Sequence, residues 1–104
     1  MAKYPKINLG GAVKILFAPL KRYRGNGPTI HGMQRDRTVW LDSRSNMQDS
    51  TLVHELYHLQ YPNWTEDRVL RAEEEFIAHA SWQVRAKAIQ ILGTARIASK
   101  EEMP

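Results

Sequence analysis

Residues 37–60 read RTVWLDSRSNMQDSTLVHELYHLQ, and the change of period inside this stretch decides the fold class. Its first part, Thr38-Val39-Trp40-Leu41, is β-branched and apolar and ends at Asp42-Ser43, the composition of a short strand. Ser45-Asn46-Met47-Gln48 then has the spacing of a capping box, with a serine oxygen on the N3 amide and Gln48 reaching back. A helix over residues 46–60 follows, and Tyr61-Pro62 ends it, because proline disfavours helix at the residue before it.

Upstream, Ala12-Val13-Lys14-Ile15-Leu16-Phe17 is a second apolar, β-branched run closed by Pro19, and Gly25-Asn26-Gly27-Pro28 marks a turn between the two. Two short strands around a glycine-rich connection predict a hairpin or small antiparallel sheet. Downstream, Thr65 caps a second helix whose first turn holds Glu66 and Asp67, favourable against the helix dipole. At 100° per residue Val69, Phe76, Ile77, Ala80, Val84 and Ile91 share one stripe, so this helix is expected to run to residue 92, where Gly93 stops it. The fold class is therefore α+β: a short antiparallel sheet or hairpin followed by two long packed helices. One domain spans residues 1–104, with a basic, strand-containing part (1–45), a helical part (46–92) and a tail (93–104).

Composition narrows the function classes. The 104 residues suffice for one modest core, and the absence of cysteine removes both disulfides and thiolate metal sites. No apolar run approaches the roughly 18 residues that span a bilayer, and the N-terminus lacks a signal-peptide pattern, so a cytoplasmic protein without a membrane partner is expected. The net charge of +4 conceals an asymmetry: residues 1–45 carry nine Lys/Arg against two Asp, and residues 46–104 carry six against nine Asp/Glu. A basic N-terminal half of this kind can attract nucleic acid or an acidic partner, and Lys21-Arg22-Tyr23-Arg24 mixes cations with an aromatic ring ahead of the glycine turn.

The chemistry concentrates in HELYH, residues 54–58. Residues i and i+4 of a helix project from one face, so His54 and His58 can reach one cation, and imidazole nitrogen suits Zn2+. Glu55 lies one residue round the helix, beside the metal, where a carboxylate can act as general base towards water whose pKa the metal has lowered. A hydrolytic zinc site needs a third protein ligand, which without cysteine is a carboxylate or another histidine. Glu66 and Glu73 lie seven residues apart and both fall within the apolar stripe of the second helix, where an unpaired carboxylate is costly. If the turn at residues 61–65 makes the helices antiparallel, the level of the histidines matches residues 69–73, which favours Glu73.

HELYH followed by acidic residues on the next helix resembles the zincin superfamily of metallopeptidases, in particular its glutamate-liganded branch, the gluzincins. Residues 37–69 are also similar to small HExxH proteins encoded by phages and prophages. The resemblance covers residues 37–82 and not the basic N-terminal third. It implies a zinc metallopeptidase acting on protein or peptide, with His54 and His58 as ligands and Glu55 as general base. The phage-type pattern implies Glu66 as third ligand, whereas EEEFIAHA (residues 73–80), similar to a related regulatory peptidase group, implies Glu73. In zincins a strand beside the active-site helix binds substrate by edge pairing, a role that falls on Thr38 to Leu41. Tyr57 stands where many relatives carry a small residue, and its ring is expected to narrow the cleft. His31, Tyr57, Tyr61 and His79 are candidates to stabilise the transition state, while Trp40, Trp64 and Trp82 are expected to anchor the core or the helix packing. Two other readings stand beside this one: a small basic nucleic-acid-associated protein, and a non-catalytic, zinc-stabilised interaction module.

Overall fold

The computed structural model describes residues 3–9, 13–20, 32–43 and 48–104. His31, the basic stretch Lys21 to Arg24, the Gly25–Pro28 turn and the Ser45 end of the capping box lie outside these residues. Four strands, β1 (Lys14–Ala18), β2 (Gly32–Arg35), β3 (Thr38–Asp42) and β4 (Arg96–Ile97), form one mixed sheet in the order β2-β3-β1-β4. Three helices, α1 (Gln48–Gln60), α2 (Glu66–His79) and α3 (Trp82–Leu92), lie between β3 and β4 in the chain. The α+β class holds, and two details of it differ from expectation.

The first concerns the sheet. β1 and β3 pair in parallel, from Lys14 with Thr38 to Ala18 with Asp42, so they are not the two arms of a hairpin. A parallel pair needs a long return connection, and the chain between them supplies one that also contains β2. The hairpin is β2–β3, antiparallel from Arg35 with Thr38 to Gly32 with Leu41. Its turn residues Asp36 and Arg37 both adopt positive φ, 50° and 60°, as a two-residue turn matched to strand twist requires. Neither is glycine, and GMQR (residues 32–35) lacks β-branched residues, so the sequence carries no hairpin signal there.

The second concerns the long second helix, which breaks into two. Ala80 is extended (φ −65°, ψ 138°), and Ser81 caps α3, its Oγ accepting from the Val84 amide at 3.3 Å. A short side-chain cap outcompetes helix continuation here, while the apolar spacing runs across the break and hides it. Gly93 does end α3. Residues 93–104 are ordered against the sheet: β4 pairs with β1, and the Trp40 indole donates to the Glu102 carbonyl at 2.7 Å.

Apolar residues bury both faces of the sheet. Ile15, Val39, Leu41, Leu52 and Leu56 pack between sheet and α1, whereas Leu16, Ala18, Leu20, Trp40 and Ala98 fill the opposite face. A third cluster, Val53, Tyr57, Val69, Ala72 and Phe76, joins α1 to α2. Trp64 stacks on Tyr61 at 3.9 Å beneath the Arg68 guanidinium, but Trp82 is 74% exposed and anchors nothing. Among the described residues no helix is long and apolar enough to cross a membrane.

Candidate metal centre

Two sides of α1 are committed to packing. Leu52 and Leu56 face the sheet, and Val53 and Tyr57 face α2. The polar remainder, His54, Glu55 and His58, is left on the third side. His54 and His58 lie one turn apart with ring centroids 4.9 Å from one another, both partly buried. The turn after α1 is held by the Tyr61 amide on the Tyr57 carbonyl and the Trp64 amide on the Tyr61 carbonyl. Thr65 then caps α2, accepting from the Arg68 amide, and turns the chain back along α1.

This reversal delivers two carboxylates to the histidines. Glu66 lies with one oxygen 2.7 Å from His54 Nε2 and the other 2.9 Å from His58 Nε2. Glu73, two turns further on, places Oε1 3.0 Å from His54 Nδ1, on the far side of the same ring. The two acids of equal helical phase therefore occupy different positions. Glu66 reaches the Nε2 atoms of both rings, whereas Glu73 reaches only the inner nitrogen of His54. A carboxylate only accepts, so Glu73 holds the proton on Nδ1 and leaves the Nε2 lone pair of neutral His54 free for a cation.

His54, His58 and Glu66 each offer one ligand atom within 4.8 Å of the others. A tetrahedral zinc centre with bonds near 2.0–2.1 Å separates its ligand atoms by roughly 3.4 Å. The Glu66 contacts are about half an ångström shorter than that, a gap that rotation of one exposed side chain covers. Donor types, number and spacing fit zinc with a fourth position left open.

Electrostatics set the two neighbouring groups apart. Burial works against protonating His54, but the Glu73 hydrogen bond and the charges of Glu55, Glu66 and Glu73 outweigh it and raise its pKa. Glu55 is only 7% exposed. Its pKa is pushed up to about 7, chiefly by burial; His54 pulls it down, and Glu66 and Glu73 push it up further. A carboxyl poised near neutrality can both take and return a proton.

The other candidates lie elsewhere. The Tyr57 ring is fully buried between α1 and α2 and its hydroxyl donates to the Pro5 carbonyl at 2.7 Å, so it neither narrows the cleft nor faces the histidines. Tyr61 donates to the Lys6 carbonyl at 2.7 Å. His79 is exposed in the last turn of α2, nearly two turns beyond Glu73. The residue that sequence reading missed is Gly32. A Cβ there would lie 2.6 Å from Thr51 Cγ2 and 3.0 Å from Glu55 Cγ, so β2 passes directly over the Thr51–Glu55 turn of α1. β3 is interior, between β2 and β1, so the edge strand beside this site is β2 and not Thr38 to Leu41. The chain matches no family model, no curated protein and no solved structure.

Proposed function

We propose that this protein is a zinc-dependent metallopeptidase of gluzincin type, with His54, His58 and Glu66 as metal ligands and Glu55 as general base. The observation that carries the reading is the convergence of three zinc-type donors, His54, His58 and Glu66, beside the buried carboxyl of Glu55. Bound zinc would supply Lewis acidity, lowering the pKa of water and polarising the scissile carbonyl. Glu55 takes a proton from the attacking water as its oxygen joins the carbonyl carbon, then returns it to the leaving amine nitrogen. Glu73 orients His54 through Nδ1, the hydrogen bond by which outer carboxylates fix the tautomer and basicity of a ligating imidazole. The edge of β2 offers main-chain groups to an extended substrate: the alternation of an antiparallel ladder turns the amide and carbonyl of Gly32 and Gln34 away from β3.

Elemental analysis of protein purified without chelators is expected to give about one zinc per chain, lost in His58→Ala. Glu55→Gln should keep the zinc and lose cleavage of casein by at least a hundredfold, the scale of general-base catalysis. Zinc retained with no cleavage by the wild-type protein would leave a structural zinc module; no zinc at all would refute the site.

A further inference from the structure

A second stretch of main chain is held by the last turns of α1. Residues 3–9 run there without regular secondary structure. Tyr57 and Tyr61 donate to the carbonyls of Pro5 and Lys6, each at 2.7 Å. The Gln60 carboxamide takes both main-chain groups of Asn8, accepting from its amide at 2.7 Å and donating to its carbonyl at 3.1 Å. Tyr4 meets Phe76 edge-on at 5.2 Å, and Ile7 packs against the core. A residue that turns its amide and carbonyl to one partner is extended, so the neighbouring Ile7 and Leu9 turn theirs away from α1. Neither makes a main-chain hydrogen bond among the described residues. On this far flank lies a trench of about 1150 Å³, with the segment as one wall and α3 as the other; no described residue of α1 lines it.

Tyr4, Ile7 and Leu9 line one side of the trench and Val84 and Ile91 the other. Its polar members are Lys6, Asn8, Lys87, Gln90 and Thr94, so among the described residues the lining carries two cations and no acid. Val84, Lys87 and Ile91 lie three and four residues apart, one stripe of α3. The segment from Tyr4 to Leu9 is at most about 17 Å long, which gives the trench a mean cross-section of roughly 70 Å². One extended strand takes about 48 Å², from 4.8 Å between neighbours and 10 Å through the sheet. We propose that the trench is a docking site for an extended, acidic and aliphatic segment of a partner protein, which adds as a strand along residues 7–9 and rests alternate side chains on α3. The unpaired main-chain groups of Ile7 and Leu9 supply the pairing. Val84, Lys87 and Ile91 order the docked face as aliphatic, acidic, aliphatic. A strand face repeats about every 6.8 Å and the stripe about every 5 Å, so three positions drift by about 3 Å in all, which long side chains absorb. The site stands apart from the metal centre and does not depend on the proposed hydrolysis.

The test titrates the full chain with three heptapeptides, followed by amide NMR: Thr-Leu-Thr-Glu-Thr-Leu-Thr, the same peptide with Lys for Glu, and the same peptide with Ser for both Leu. The first should bind at least fivefold more tightly than either control, with shifts at Ile7, Leu9, Val84 and Ile91, and high salt should narrow its lead over the Lys peptide. Lys6 and Lys87 are both exposed, so Lys6→Glu with Lys87→Glu should keep the urea midpoint and invert the preference between the Glu and Lys peptides. Equal affinities, no binding by any of the three, a preference unchanged in the double variant, or shifts confined to other faces would overturn the proposal. So would tighter binding of decanoate at the same residues, which would assign the trench to an anionic amphiphile, or self-association that shifts them without peptide, which would assign it to a second copy. Zinc content is expected to be the same in the double variant, so failure here leaves the metal centre untouched.

Discussion

Gly32→Ala isolates the contact that sets β2 over α1. Gly32 has no positive φ, so alanine suits its backbone, and restricting the unfolded chain favours the variant by about 0.4–1 kcal/mol. Against that stands a Cβ 2.6 Å from Thr51 Cγ2, with the Trp40 carbonyl at 3.3 Å on another side. Ordinary contact needs roughly another ångström, and Thr51 is buried on a helix where a β-branched χ1 is stiff. Overpacking of this kind costs about 1–3 kcal/mol, so the net loss should be on the order of 1–2 kcal/mol. Urea denaturation should show the midpoint falling by roughly 1 M, with an unchanged slope. Thr51→Ser removes the clashing methyl. In that background Gly32→Ala should cost less by about 1 kcal/mol or more, a coupling that a double-mutant cycle resolves. Destabilisation equal in both backgrounds would refute the placement of β2 against Thr51 and, with it, the edge strand beside Glu55.

Three further outcomes follow from the same geometry. In metal-free protein the Glu55 pKa is raised from 4.5 to about 7; below pH 4.5 both folded and unfolded states are protonated, and above 7 both are ionised. Stability should therefore fall as pH rises between these values, by up to about 3 kcal/mol, and urea melts of Glu55→Gln with chelator present should lack this part of the decline. Glu73→Gln should weaken zinc binding 10–100-fold in a chelator competition without removing a ligand, whereas Glu66→Ala should abolish stoichiometric binding; equal effects would mean that Glu73 also ligates. Tyr57→Phe leaves the Pro5 carbonyl without its donor and should cost about 1–2 kcal/mol in thermal or urea unfolding while zinc content stays unchanged.

Much of the candidate site was legible in residues 54–73 because helices obey a local rule. The i, i+4 spacing puts His54 and His58 together, and the seven-residue interval gives Glu66 and Glu73 a common phase, whatever the rest of the chain does. Other local signals, β-branched apolar runs and caps, placed strands at residues 12–17 and 38–41 and a helix over 46–60, where β1 (Lys14–Ala18), β3 (Thr38–Asp42) and α1 (Gln48–Gln60) lie, together with the start of α2 and the stop at Gly93. Local rules failed where a non-local partner decided. Nothing in GMQR favours a strand; β3 makes it one. The break at Ala80 is hidden by apolar spacing that continues through it, and the tail acquires β4 only because β1 offers an edge.

Sequence by itself determined the α+β class, the HELYH face and the pair of acids able to meet it, because each is a periodicity within one segment. Tertiary structure alone decided that Glu66 spans both Nε2 atoms while Glu73 takes Nδ1, that β2 is the outer strand beside β3 among the described residues, and that Tyr57 and Tyr61 turn away to hold Pro5 and Lys6. The physical reason is that phase around a helix is set by 100° per residue, whereas height along a neighbouring helix depends on how tightly the intervening turn closes. That closure is made by Thr65, by Trp64 stacked on Tyr61, and by the core cluster of Val53, Tyr57, Val69, Ala72 and Phe76, none of whose identities the HExxH pattern specifies.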